Sequence, residues 1–321
     1  MKKPVLFLLV LVLGLNACQK GEPVKPGSVG KINQLLVVIP DSEWKGKTGD
    51  TIRKYFAREV DVLPQSEPLF SIYQIDPSIF DKNFFIQRNV LEFRKEKTGK
   101  VTFRHNVFAT PQLVVTVAGK SPSDWRKLIA QYAEQIIDSL KTMEKALILS
   151  GFKKNDFIAT DSIKQQLHID IKIPNTYKKI VAKDGFFWYR HDLRDGSKNI
   201  LLYSIPLKNS DSLAAEIPRI RDSIGKRYIP GPLPNTWMIT EQGFSPVQKK
   251  VKIAGTEGIE SRGLWEVKND FMGGPYVNYL IPDKKHNRAV IIEGFIYLPA
   301  DFKRNMLTEL EAILQTARLT D

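Results

Sequence analysis

The chain carries a single cysteine, Cys18, among 321 residues, so it can form neither an internal disulfide nor a thiolate metal cluster. Histidine is nearly as scarce. The four present, His105, His168, His191 and His286, stand far apart, and none has a second histidine at metal-ligand spacing. The sequence has no GxSxG elbow, no HExxH, no P-loop and no SxxK. No metal and no cofactor is expected on these grounds. Beyond Cys18 no apolar run approaches the roughly 18 residues that a membrane-spanning helix needs. Negative charge is also in short supply, with 35 Asp plus Glu against 48 Lys plus Arg.

The composition is 42% hydrophobic, 26% charged and 10% aromatic, which is that of a folded globular protein and not of a disordered, collagen-like or polytopic membrane chain. At the N-terminus, Lys2 and Lys3 precede an apolar run from Val5 to Leu15 that is too short to cross a bilayer. That run leads into Leu15, Asn16, Ala17 and Cys18, which resembles a bacterial lipobox, with residues 1–17 as the cleaved signal and Cys18 as the acylated first residue. Two or three acyl chains on Cys18 would anchor the protein to a lipid bilayer. Loss of Lys2 and Lys3 lowers the formal charge from +13 by two, to +11. Residues 18–30, rich in Lys, Pro and Gly, read as a flexible tether with a reach of about 20 Å. Gln19 is not the aspartate that retains many lipoproteins in the inner membrane, so by the same resemblance an envelope location at the outer membrane is expected.

From Lys31 onward strand and helix patterns alternate. LLVVI at 35–39 reads as a buried strand, and Asp50 caps a helix bearing Ile52, Tyr55, Phe56 and Val60. Strand patterns follow at 70–75, 89–94, 101–107 and 112–117, with the charged turn KEKTGK between the middle two. Ser121, Pro122 and Asp124 then open a helix with a continuous stripe through Trp125, Ile129, Ile136 and Leu140, which Gly151 can end. The second half repeats this grammar, with strands at 168–173, 186–191, 199–205, 236–241, 264–268, 276–281 and 289–298. Pro218 should kink or split the helix after Ser210. The expected fold is α+β, with antiparallel sheets built from hairpins and helices on one face. It divides into two similar-sized sandwich halves, residues 31–150 and 151–321.

The most distinctive local feature is FFWYRHDLRDG at 186–196. Strand alternation places Phe186, Trp188 and Arg190 on one face and Phe187, Tyr189 and His191 on the other. Trp188, Arg190 and His191 are the candidate ligand residues, although coverage of both faces by other elements is the commoner fate of such a strand. FMGGPYVNY at 271–279 is a second place to look, with Gly273 and Gly274 reading as a turn. The basic residues are dispersed, so the excess charge suits a solvated surface. A signal that exports the chain removes nucleic acid as a partner and leaves anionic glycan or lipid headgroups, or an envelope protein.

Together the lipobox, the LLVVIPD strand followed by Trp44, the FFIQRNVLEF stretch and the FWYRHD strand are similar to a family of uncharacterised lipoproteins of Bacteroidota-type bacteria, defined as a domain of unknown function. That resemblance covers nearly the whole mature chain and implies acylation of Cys18. The expected function is a binding or scaffolding protein of the envelope. Two alternatives stand beside it. A glycan hydrolase requires two carboxylates about 5–10 Å apart beside the Trp188 row. A lipid-binding transport or assembly accessory requires an enclosed cavity between sheet and helices.

Overall fold

The computed structural model describes residues 25–207 and 210–320. The expected signal at 1–17, Cys18 and the first part of the tether lie outside the described residues. Residues 25–30, expected to be tether, instead dock on the body: Gly27 bridges to Thr110, Val29 bridges to Gln87, and Lys25 Nζ donates to the Asn106 carbonyl at 2.5 Å. Gly30 and Asn33 both have positive φ and turn the chain into the first strand.

The N-terminal half runs β1 (Gln34–Val38), α1 (Asp41–Trp44), α2 (Lys47–Phe56), β2 (Ser71–Ile75), α3 (Lys82–Phe85), β3 (Asn89–Lys95), β4 (Lys100–His105), β5 (Leu113–Gly119) and α4 (Pro122–Ser150). Its sheet has the order β2-β1-β3-β5-β4. The first three pairings are parallel, and only β4 with β5 is antiparallel. The α+β class holds, but hairpins do not build this half. The reason is visible in β1 and β5, whose residues are almost all buried, because strands covered on both faces carry apolar runs without alternation. α2 and α4 cover one face with Ile52, Phe56, Trp125, Ile129 and Leu140. Leu36, Val38, Val90 and Val114 fill the other, under Phe80 and Phe84. α4 begins where the sequence indicated, with Ser121 and Asp124 forming a reciprocal capping box.

The C-terminal half runs α5 (Asp161–Leu167), β6 (Ile169–Asp170), β7 (Lys178–Lys183), β8 (Phe186–Leu193), β9 (Gly196–Pro206), α6 (Ser210–Tyr228), β10 (Met238–Thr240), β11 (Val247–Ile253), β12 (Thr256–Val267), β13 (Gly273–Asp283), β14 (Arg288–Tyr297), α7 (Arg304–Leu314) and β15 (Arg318–Leu319). Its antiparallel sheet has the order β10-β12-β13-β14-β9-β8-β7, with β11 also paired to β12. Here the hairpin reading holds. Helices cover both faces, not one: α5 and α7 pack on the side of Phe187, Tyr189, Ile200 and Val277, and α6 on the side of Phe186, Leu201, Phe295 and Trp265. Gly273 and Gly274 open strand β13 instead of forming a turn. A Cβ on Gly274 would stand 2.0 Å from the Ile296 carbonyl oxygen, so only glycine lets β13 and β14 approach there.

α7 joins the halves. Leu307, Leu310, Ile313 and Leu314 bury its apolar side on the C-terminal sheet, each worth roughly 1.5–3 kcal/mol. Its polar side faces the N-terminal half. Thr308 accepts from Asn33 Nδ2 at 3.0 Å, and Glu67 Oε1 accepts from the Lys303 and Arg304 amides at 2.6 and 3.1 Å, capping the helix start. Among the described residues no helix is long and apolar enough to cross a membrane.

Candidate functional site

The pleat of β8 sends Trp188 and Arg190 toward the α6 face, where they line an open slot of about 500 Å³. Its floor and walls come from Trp265, Phe295 and Tyr297 on β12 and β14, with Pro230, Gly231 and Pro232 along one edge. Each ring is held in place. Trp188 Nε1 donates to Asn199 Oδ1 at 2.9 Å, and Asn199 Nδ2 donates to Ser197 Oγ at 3.0 Å. Trp265 Nε1 donates to the Ile296 carbonyl at 3.1 Å, and its ring meets Phe295 edge-on with centroids 5.2 Å apart. At the rim Arg190 Nε stands 2.7 Å from Asp192 Oδ1, and Arg194 is almost fully exposed. The slot thus offers flat apolar faces flanked by one amide and one hydroxyl, with Arg190 beside Asp192 and Arg194 beside Asp195 at the rim, the mixture expected of a small-molecule site.

His191 does not join Trp188 and Arg190. The same pleat turns it to the opposite face, edge-on to Tyr177 at 5.4 Å, where burial first and Lys198 next lower its pKa. The other histidines are not arranged for metal binding either. His168, at the αL end of α5, stacks on His286 with centroids 3.9 Å apart, and His286 Nδ1 faces Asp283 Oδ2 at 2.8 Å. Among the described residues no group of three or more His, Cys, Asp or Glu side chains could hold a metal.

The slot supplies one carboxylate, Asp192, and that one is ion-paired. A second depression, of about 560 Å³, gathers more carboxylates and is lined by Glu241, Glu266, Asp270, Phe271 and Lys303. Glu266 pairs across from Ile239, so Glu241 and Glu266 are diagonal neighbours on one face of the β10–β12 ladder. Burial, then Glu241 and Asp222, raise the Glu266 carboxyl above its ordinary value. Glu241 is engaged in its own turn, accepting from the Gly243 and Phe244 amides at 2.8 and 3.1 Å.

A third and larger concavity, about 950 Å³, opens between the halves. α4 provides Lys141 and Lys145, β12 provides Glu260 and Arg262, and α7 provides Glu311. Arg262 Nε meets Glu260 Oε1 at 2.7 Å and its Nη2 meets Glu311 Oε1 at 2.8 Å, while Lys145 Nζ takes Glu311 Oε2 at 3.1 Å. Burial works to raise the Glu311 carboxyl, but Arg262, Lys145 and Lys141 outweigh it and hold the group well below the usual carboxylate range. Lys141 is pushed down to about 8, first by burial and then by Arg262 and Lys145 against the pull of Glu311.

Sequence reasoning missed Trp265, Asn199, Phe295 and Tyr297 in the slot because three strands, β9, β12 and β14, deliver them through pairings that local sequence does not show. It also missed the charges between the halves. One signal was available there: Glu311 lies among Leu307, Leu310 and Leu314, where the apolar stripe of the last helix leaves no reason for a carboxylate unless a cation meets it.

A family defined as a domain of unknown function, DUF4837, matches residues 156–316, and a second domain of unknown function, DUF8532, matches residues 28–153. No curated protein matches the chain. Among solved structures it is similar to the Ran-binding protein Mog1p of Saccharomyces cerevisiae, with 16% identity and a TM-score of 0.32 over 48% of this chain and 91% of that one. It is also similar to LpqN of Mycobacterium tuberculosis, a protein described as involved in cell envelope biogenesis. There the identity is 10% and the TM-score 0.29 over 48% of this chain and 83% of that one.

Proposed function

Since the chain belongs to the family of the domain of unknown function DUF4837, which names no activity, we propose from its own residues that it is a binding protein of the cell envelope. In this reading acylated Cys18 holds it to the outer membrane, and the slot beside Trp188 takes an acidic glycan. The observation that carries the reading is the slot itself: Trp188 and Tyr297 present part-exposed ring surfaces of the kind on which sugar rings stack, over a floor closed by buried Trp265, and the exposed guanidinium of Arg194, only loosely set 3.8 Å from Asp195, is a donor for acidic substituents. A binding role is preferred over glycan hydrolysis because the slot holds a single, ion-paired carboxylate, Asp192, whereas general acid and base work on a glycoside needs two. The lipid-accessory reading is less well supported. The spaces between the C-terminal sheet and its helices are filled by packed side chains, and the slot is open.

The test is a titration of the full chain, solubilised in detergent, with acidic envelope oligosaccharides, read by tryptophan fluorescence. Trp188→Ala should weaken binding about tenfold, the loss expected when one aromatic platform is removed. A Trp188→Ala protein that binds as tightly as the parent would overturn the slot as the site. Anchoring is tested separately by Cys18→Ala, which should abolish acyl labelling and release the protein from membranes. Persistent labelling would refute acylation at Cys18.

A further inference from the structure

The cavity between the halves has a charge arrangement that its internal ion pairs do not complete. Over the whole lining the charges nearly cancel, since Arg58, Lys252 and Arg318 near the mouth are set against Glu59, Asp61, Glu134 and Asp138. The inner wall is different. There Lys141, Lys145 and Arg262 meet only two carboxylates, Glu260 and Glu311, while Lys249 reaches Glu260 from the exposed side. That leaves an excess of one positive charge in a place where solvent screening is reduced.

Lys141 is where the excess shows. Glu311, the first carboxylate to act on it, has Oε1 on Arg262 and Oε2 on Lys145, and neither oxygen is hydrogen-bonded to Lys141. No other side chain or carbonyl among the described residues accepts from the Lys141 ammonium, which opens on the cavity. A half-buried ammonium without an acceptor is costly unless something supplies one. Arg262 has already spent its Nε and Nη2 on Glu260 and Glu311, which leaves Nη1 as its open edge. The other donors are lysines, compact point charges that suit a tetrahedral dianion.

We propose that the cavity between the halves is a second binding site, distinct from the aromatic slot, and that it takes a phosphoryl group seated on Lys141 against the free edge of Arg262. The volume leaves room for more than inorganic phosphate, so the organic part of a phosphate monoester would lie toward Val251, Ile253 and Ile137. The two halves supply the site jointly, Lys141 and Lys145 from one and Arg262 and Lys249 from the other. Occupancy would therefore draw the halves together.

Calorimetric titration of the full chain with inorganic phosphate, glycerol 3-phosphate and citrate tests this. Both phosphoryl probes should bind and citrate should not. Lys141→Met should weaken phosphoryl binding by about tenfold or more, the loss of one charge-assisted hydrogen bond. Lys141→Arg should recover part of it, and Trp188→Ala should leave it unchanged. Thermal unfolding of Lys141→Met checks folding, which methionine at a half-buried helical position should preserve. Equal affinity for phosphate and glycerol 3-phosphate would mean that the site reads the phosphoryl group alone; tighter binding of the ester would assign the rest of the cavity to the organic part. Absence of binding by either phosphoryl probe, citrate binding as tight as phosphate, or full affinity in Lys141→Met overturns the proposal. None of these outcomes depends on a glycan occupying the slot.

Discussion

Among the buried carboxylates, Glu144, Glu260, Glu293 and Glu311 are each met by cations. The pair most removed from water is Arg221 with Glu293, each about 1% exposed. Arg221 Nε and Nη2 donate to the two carboxylate oxygens at 2.8 and 2.7 Å, Nη1 donates to Thr240 Oγ1 at 2.8 Å, and the guanidinium lies 3.6 Å from the Tyr276 ring centroid. Burial alone would lower the Arg221 pKa, but Glu293 and Tyr276 raise it above its ordinary value. Desolvating two ions costs several kcal/mol each, so such a pair adds little net stability, yet removing one partner strands the other. Arg221→Met should therefore cost about 3–5 kcal/mol, seen as a lower urea midpoint with an unchanged slope. Adding Glu293→Gln should recover part of that loss. Equal midpoints for the single and double variants would place the cost in packing instead of in the stranded charge.

Among the elements, α6 shows how a local rule can be read correctly and still mislead. Pro218 lacks the amide that would bond to Ala214, four residues back, and the sequence predicts a kink or a split there. The helix is not split: it runs from Ser210 to Tyr228, and Gln248 of β11 donates its Nε2 to the orphaned Ala214 carbonyl at 2.7 Å. Gln248→Ala should cost about 1 kcal/mol and speed amide exchange around Ala214. Unchanged exchange would show that water serves the carbonyl equally well. The same contrast governs the rest of the fold. α4, α7 and the β8–β9 and β13–β14 hairpins were legible because caps, stripes and turns are local. β7 and β11 were not, since both are exposed edge strands with lysine-rich sequences that carry no apolar alternation. The parallel order of β1, β3 and β5 is likewise invisible locally, as both pairing partners of a two-sided strand look alike. At the slot, alternation along β8 separated Trp188 from His191 correctly, but partners on β9, β12 and β14 depend on register between strands.

For the molecule as a whole, Glu311 is the buried charge through which the halves hold one another, beside the Asn33–Thr308 and Glu67 contacts. On α7 it binds Lys145 from α4 and Arg262 from β12, so its ionised form spans the joint. Its carboxyl is held far below the ordinary value of 4.5 by those cations despite burial. A carboxylate with a depressed folded pKa contributes stability that is fully present above its unfolded value and is lost as pH falls toward the folded one. Acid should thus loosen the joint progressively below about pH 4.5. Glu144 works in the opposite direction. Burial raises its carboxyl against Arg88 and Asn89, so the folded state takes up that proton more readily than the unfolded one and mild acid favours folding through it. Total stability against pH would mix these terms, whereas the difference between the parent and Glu311→Gln isolates one, because Glu144 is common to both. At neutral pH Glu311→Gln should be less stable by about 3–5 kcal/mol, having left Lys145 and Arg262 without their shared partner. As pH falls below 4.5 the two unfolding midpoints should converge. A gap that stays constant into acid would mean that Glu311 acts by shape and hydrogen bonding alone, and that its charge does not hold the halves together.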